Sequence, residues 1–204
     1  MLLEHIVPLN GGERFRLEFR EGKELSCGPQ ELLDFQLQPG LTLEGEALEQ
    51  LEEACSYYLV RRKAAELASA RLLNSGQLQR KLTEKGFDPD HARRAAAWLA
   101  ELGAIDEASY ADTVVRHYAR KGYGQRRICA ELQRHLVPRE YWEDALEQLE
   151  DPAETLDRLV EARLRDREAD EKTLKKLADA LCRRGYSWEQ VRSALRRWEE
   201  ARED

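Results

Sequence analysis

Long apolar runs are missing from this 204-residue sequence. No stretch approaches the about 18 consecutive apolar residues of a membrane span. The N-terminus, Met1-Leu2-Leu3-Glu4-His5, has neither a basic opening nor an apolar stretch behind it, so no secretory leader is expected. The chain reads as a cytoplasmic protein without membrane contact. Cysteine is sparse and scattered, at Cys27, Cys55, Cys129 and Cys182, with no Cys-x2-Cys and no partnering histidine. Their neighbours are apolar and helical in pattern, so they read as small core residues in a reducing compartment rather than disulfides or zinc ligands. The histidines, His5, His91, His117 and His135, share no i, i+4 spacing, and no metal site is expected. There is no glycine-rich loop ending in Lys-Ser/Thr, no His-Glu-x2-His and no Gly-x-Ser-x-Gly. The carboxylates are spread along helical faces beside basic residues, as on solvated helices. Neither catalysis nor a cofactor is expected.

Glycine and proline are also few, at 12 and 6, while charged residues make up 36% of the chain against an ordinary quarter. That balance suits long amphipathic helices with solvated faces, and an apolar share of 42% is enough for a packed core. The formal charge of −7 is uneven. Residues 1–60 carry 12 acidic and 4 basic side chains, a balance of −8, whereas residues 61–204 carry 28 and 29, a balance of +1. The acidity belongs to the N-terminal part, and the remainder is neutral with local basic clusters.

What the chain does have is a repeat. Leu78-x3-Leu82-x3-Gly86-Phe87-x4-Ala92-x2-Ala95 returns 50 positions later as Ile128, Leu132, Leu136, Val137, Trp142 and Ala145. It returns again after 49 more as Leu177, Leu181, Gly185, Tyr186, Val191 and Ala194. Apolar residues four apart share one helical face, and a glycine followed by an aromatic or branched residue ends one helix before the next begins. Repetition at this period predicts stacked helical units, each burying a face against its neighbour. Such an array offers a long surface for an extended partner rather than a single catalytic cleft.

The first 45 residues differ. Phe15, Leu17 and Phe19 alternate with charged residues, a period-2 strand with one buried face. Turns at Asn10-Gly11-Gly12 and Glu21-Gly22 predict a small meander of two or three strands, and Gly28-Pro29 opens a short helix over 30–35. From Glu46 to Leu73 the period becomes helical, with Leu48, Leu51, Cys55, Tyr58 and Leu59 on one side. The expected organisation is therefore a β-rich subdomain over 1–45, a bridging helix over 46–73, the rest of the first repeat over 74–105, a second repeat over 106–151 and a third over 152–204. Asn74-x2-Gln77 predicts a capping box, and Asp88-Pro89, Asp106-Glu107 and Asp151-Pro152 mark further helix starts. Helices are expected over about 125–135 and 139–149, then near 153–168, 171–184 and 188–202. The fold class is mainly α: three tandem three-helix repeats in a curved array, with a small β-containing N-terminal subdomain. Trp142, Trp188 and Trp198, at helical spacing near the third helices, read as core.

The densest basic stretch is Arg116 to Arg139, with seven basic residues against the single acid Glu131. Within it, Lys121-Gly122-Tyr123-Gly124 leads into Gln125-Arg126-Arg127. A glycine turn opening a basic helix would present free amides, two arginines and an aromatic face to phosphates, partner carboxylates or bases. Equally, Gly122 and Gly124 could supply turn dihedrals, Tyr123 fill the core and the arginines form a solvated face. Adjacent arginines point about 100° apart on a helix, so at least one is expected to be exposed, and replacing both is expected to cost little stability. Arg183-Arg184, before Gly185-Tyr186, is a second basic site that the helix dipole alone would favour.

The stretch Asp106-Glu107-x2-Tyr110-Ala111, then Arg120-Lys121-Gly122-Tyr123-Gly124-Gln125-Arg126-Arg127-Ile128-x2-Glu131-Leu132, resembles the signature of the RecX family. Lys81-Leu82-x2-Lys85-Gly86-Phe87 resembles that family's first repeat, and Leu177-x3-Leu181-x-Arg183-Arg184-Gly185-Tyr186 its third. The resemblance spans residues 64–200. It departs at Arg71-Leu72-Leu73-Asn74, where the family usually has Arg-x-Arg-Ser. The resemblance implies a monomeric, non-enzymatic regulator that binds the filament of the RecA recombinase on single-stranded DNA. Such a protein restrains recombinase, ATPase and co-protease activity, with a part in DNA repair, homologous recombination and the SOS response. The candidate partner-binding residues are Lys121, Tyr123, Arg126, Arg127, Arg116, Arg183 and Arg184, facing the RecA filament or DNA. A module that binds DNA directly through the second repeat is the alternative.

Overall fold

The structure, a computed structural model, describes residues 1–165 and 170–203. The chain divides into two compact units, Met1–Ile105 and Asp106–Asp204.

The first unit opens with an antiparallel sheet in the order β1-β2-β3: Leu3–Leu9, Arg14–Phe19 and Glu24–Cys27. The register pairs Leu3 with Phe19, Ile6 with Leu17 and Phe15 with Cys27. Alternation sends Leu17 and Phe19 inward, against Leu3, Cys27 and Leu43. A short helix α1 (Pro29–Asp34) starts at its proline, and its Glu31 carboxylate accepts from the Gly28 amide at 2.9 Å.

The bridging helix α2 (Gly45–Ala70) stops three residues before its expected end, because Arg71 is extended, at φ −165°. Its burial also departs from the expected stripe. Leu51 and Cys55 lie in the core under the sheet, but Val60 and Ala64 lie in the core of the first helical repeat, while Leu59 is 38% exposed. At 3.6 residues per turn, Leu51 and Val60 sit roughly 180° apart on the helix. The helix thus serves two cores with opposite faces, so a single-stripe reading fails on it. Cys27 and Cys55 are both buried in the sheet-side core. A hydrogen bond with Cys27, then burial, push the Cys55 thiol well above its ordinary range, which keeps it protonated and inert.

Helices α3 (Ser75–Glu84) and α4 (Pro89–Glu101) complete the first repeat. Asn74 Oδ1 accepts from the Gln77 amide at 2.7 Å, and Asp88 caps α4 by accepting from Asp90 and His91. The second unit continues with α5 (Glu107–Arg120), α6 (Gln125–Arg134) and α7 (Trp142–Leu146), then α8 (Pro152–Leu164), α9 (Glu171–Arg183) and α10 (Trp188–Glu203). The helix expected over 139–149 is instead a 3-10 turn at Arg139–Tyr141 followed by the short α7. That expected over 153–168 ends at Leu164, with Arg165 as its C-cap, and residues 166–168 lie outside the described residues. Trp142 and Trp198 are half-buried against their repeat cores, but Trp188 is 58% exposed. It stands in the first turn of α10, ahead of the inward residues Val191 and Ala194.

The repeating signature is the same hydrogen-bonded device in each of its three copies. Phe87, Val137 and Tyr186 each return their amide to Leu82, Leu132 and Leu181, while Gly86, Leu136 and Gly185 bond back to Thr83, Gln133 and Cys182. This is the double bond of a Schellman ending, which needs a left-handed residue at its centre. Gly86 and Gly185 supply it at φ 88° and 100°, but the second repeat uses Leu136 at φ 59°. A leucine in that conformation costs roughly 1–2 kcal/mol, and its side chain is 39% exposed. Leu136→Gly is therefore expected to raise stability by about 0.5–1 kcal/mol net of the unfolded-state entropy it adds. A higher Tm with unchanged helical content would show it; a lower Tm would mean the leucine packs too well to lose.

Candidate functional site

The basic stretch ends α5 and begins α6, and the third repeat closes over the turn between them. The Gly124 amide donates to the Arg184 carbonyl at 2.9 Å. A Cβ added to Gly124 would stand 2.8 Å from the Gly185 carbonyl carbon and oxygen, and one added to Gly185 would stand 2.5 Å from the Arg127 amide nitrogen. Arg184 completes the joint by donating from Nη1 to the Lys121 carbonyl at 3.4 Å. The two motifs that stand 61 positions apart in sequence, at Gly124 and Gly185, are thus one backbone contact. The amides at the start of α6, free on one of the two readings of this turn, are approached closely by the turn of the third repeat. Close approach, more than turn geometry, is what Gly124 provides, since its φ of −77° is open to any residue.

Beneath the joint lies a polar cluster whose burial the sequence did not reveal. Glu131, the lone acid of the basic stretch, is buried at 3% exposure. Its carboxylate pairs with Arg127 at 2.9 Å and Arg134 at 2.7 Å, and Arg134 also donates to the Tyr118 hydroxyl at 3.0 Å. Burial pushes the Glu131 carboxyl up, but hydrogen bonds from Arg134 and Tyr118 and the charges of both arginines outweigh it and hold the group below its ordinary range. His135 hydrogen-bonds with the hydroxyls of Tyr110 at 3.2 Å and Tyr118 at 3.4 Å. The Tyr118 and Tyr123 rings stack, 5.6 Å between centroids and 13° from parallel. Lys121 lies over Tyr118 and Arg127 over Tyr123.

These contacts divide the candidate residues. Arg127 and Arg184 are engaged, one with the buried carboxylate and one with the joint, so replacing Arg126 and Arg127 together is not a pure surface change. Arg126 is exposed and has no ion pair among the described residues. Arg183 is exposed in the last turn of α9. Arg116, Lys121 and Tyr123 come together along a cavity of about 680 Å³ within the second unit, with Arg120, Arg158 and Tyr186 on its other walls. Glu150 and Asp151 also reach it, but Glu150 is paired with Arg158 and Asp151 caps α8 through the Ala153 amide. Arg116, Arg120 and Lys121 have no ion pair among the described residues, leaving a cationic rim. Arg120 could have been found from its i, i+4 relation to Arg116. Arg158 comes from the next repeat, and no local spacing points to it.

Fold and site together define a protein of tandem three-helix repeats whose second and third repeats share one backbone joint. Family models for the second and third three-helix domains of RecX match residues 106–146 and 149–195. A regulatory protein RecX from Mycobacterium sp. (strain JLS) is 33% identical over 145 residues, covering 67% of this chain and 76% of the relative. One from Stenotrophomonas maltophilia (strain R551-3) is 36% identical over 122 residues, 59% of this chain and 75% of the relative. Among solved structures, a crystal structure of regulatory protein RecX superposes with a TM-score of 0.75 at 18% identity, covering 94% of this chain and 97% of that one. RecX from Lactobacillus salivarius gives 0.61 at 19%, covering 71% and 97%. The chain belongs to the RecX family.

The joint can be separated from the helix ending it is built on. Gly86 and Gly185 hold the same motif position with similar φ, but a Cβ at Gly86 meets nothing within 4 Å among the described residues. Gly86→Ala should cost about 1 kcal/mol, the conformational penalty alone. Gly185→Ala should cost at least about 2 kcal/mol more, since the added methyl meets backbone that cannot yield cheaply. Denaturant unfolding of the two variants measures the difference, and equal losses would dissolve the joint.

Proposed function

We propose that this protein is a non-enzymatic regulator that binds the RecA–single-stranded-DNA filament and inhibits its recombinase, ATPase and co-protease activities. Membership of a family whose relatives are named regulatory proteins supports a regulatory role. The observation that carries the reading is the cationic rim of Arg116, Arg120 and Lys121 beside Tyr123, backed by a joint that holds two repeats in one orientation. A rigid cationic surface loses little conformational freedom on docking, so more of its charge-assisted contact energy appears as affinity. An inhibitor of this kind needs only to bind one filament state better than another.

Direct DNA binding in the manner of a helix-turn-helix would place the N-terminal end of α6 in a groove. The third repeat's turn sits over that end, which weighs against the reading, although Arg126 remains exposed. Arg116→Glu with Arg120→Glu tests both. On preformed filaments the variant should need at least about tenfold more protein for half-inhibition of DNA-dependent ATP hydrolysis, equivalent to about 1.4 kcal/mol of lost contact. Its Tm should match the parent. Unchanged inhibition would remove the rim from the interface. Tight, steeply salt-dependent binding of the parent to single-stranded DNA without RecA would favour the DNA reading instead.

A further inference from the structure

The first unit holds a cavity of about 540 Å³ between the β1–β2 turn, α2 and α4, walled by Arg14, Tyr58, Arg61, Arg62 and Trp98. Three guanidinium groups surround this one cavity, Arg14 from the acidic first 60 residues and the adjacent Arg61 and Arg62 from just beyond them. The fold creates the cluster by setting the start of β2 beside the middle of α2. Arg61 donates from Nη2 to Glu31 at 2.6 Å and lies over the rings of Tyr57 and Trp98. Yet the Nε of Arg61 and the Nε of Arg14 are both buried with no acceptor among the described residues. A buried donor left unmade costs about 1–3 kcal/mol, and two on one cavity call for an explanation. Arg62 is exposed, and neither it nor Arg14 has an ion pair among the described residues. Of the two carboxylates on the wall, Glu66 is paired with Lys63 at 2.6 Å, which leaves Glu13.

We propose that this cavity is a second binding site, one that recognises the phosphate group of a nucleotide. Arginine forks grip phosphate oxygens two at a time, and a small turn of Arg14 or Arg61 toward the cavity would offer Nε–H and Nη–H to one oxyanion. Two or three cations suit a dianionic phosphate better than a single carboxylate. The volume is that of an organic ligand rather than of a bare phosphate, and Tyr58 and Trp98 give the base a flat apolar wall. The nucleotide could be free or the terminal residue of a strand, and the phosphate chemistry is the same for both.

Isothermal titration of the full chain in phosphate-free buffer, with ADP as the probe, tests this without RecA. Saturable binding is expected, weaker for inorganic phosphate, and at least about tenfold weaker for Arg14→Ala with Arg62→Ala, the loss of one or two charge-assisted contacts. Arg62→Ala alone, at an exposed position, should show part of that loss with an unchanged Tm, which guards against misfolding of the double variant. A 5′-phosphorylated oligothymidine should bind better than its 5′-hydroxyl counterpart, and the difference should vanish in the double variant. Whether the oligonucleotide or ADP binds more tightly then assigns the source, and either order agrees with phosphate recognition. The proposal is overturned if ADP gives no saturable heat, or if binding survives in the double variant. It also falls if binding is lost in Arg116→Glu with Arg120→Glu, or if a tetraglutamate peptide binds more tightly than ADP.

Discussion

One backbone hydrogen bond, from the Gly124 amide to the Arg184 carbonyl, organises the second unit. It requires two helix-ending turns to meet with no side chain between them. Glycine at 124 and 185 meets that requirement, because a Cβ at either place would stand within 3 Å of the other strand of backbone. Each repeat alone buries one apolar face around residues such as Leu132 or Leu181. The joint converts two such units into one surface, and it does so at the place where the basic residues lie. Turn, joint and cationic rim therefore form one piece of structure, and a change in the first propagates to the last.

Glu131 has the complementary task. A carboxylate buried to 3% exposure is costly unless fully paired. Here two arginines and a tyrosine hydroxyl hold its charge and fix their own side chains in return. The stacked Tyr118 and Tyr123 rings sit on this cluster and connect it to the turn. The basic character of the stretch is thus divided: some arginines build the platform, and Arg116, Arg120, Lys121 and Arg126 have no ion pair among the described residues.

The helical repeats, the caps and the three-stranded meander were legible because each rests on short-range rules: spacing of four, a cap before an apolar series, alternation by two. The reading failed where a residue answers to something distant. Helix α2 turns opposite faces to two cores, so Leu59 was misplaced. Trp188 lies in the first turn of its helix, and spacing cannot tell a first turn that lies over the core from one that projects past it. Of the residues along the second-unit cavity, Arg116 and Lys121 stood out by charge density and Tyr123 by its place in the Gly-Tyr-Gly turn. Arg184 as a joint and Arg158 as a wall depend on contacts across repeats, and one repeat's sequence does not encode its neighbour's position; Arg127 pairs with Glu131 at i, i+4 on one helix, a spacing the sequence held but the reading did not use. The Gly124–Gly185 contact was visible only as two separate glycines, each with an adequate local explanation.

The joint can be read at a single atom. If the Gly124 amide is locked between repeats, native-state hydrogen exchange should find it strongly protected. Its opening free energy should be close to that of the core amides of α5 and α9, as one cooperative unit requires. Exchange of the Gly124 amide at the rate of an exposed turn, with α5 and α9 still protected, would show that the two turns only lie near each other, and the account of a rigid cationic surface would fail.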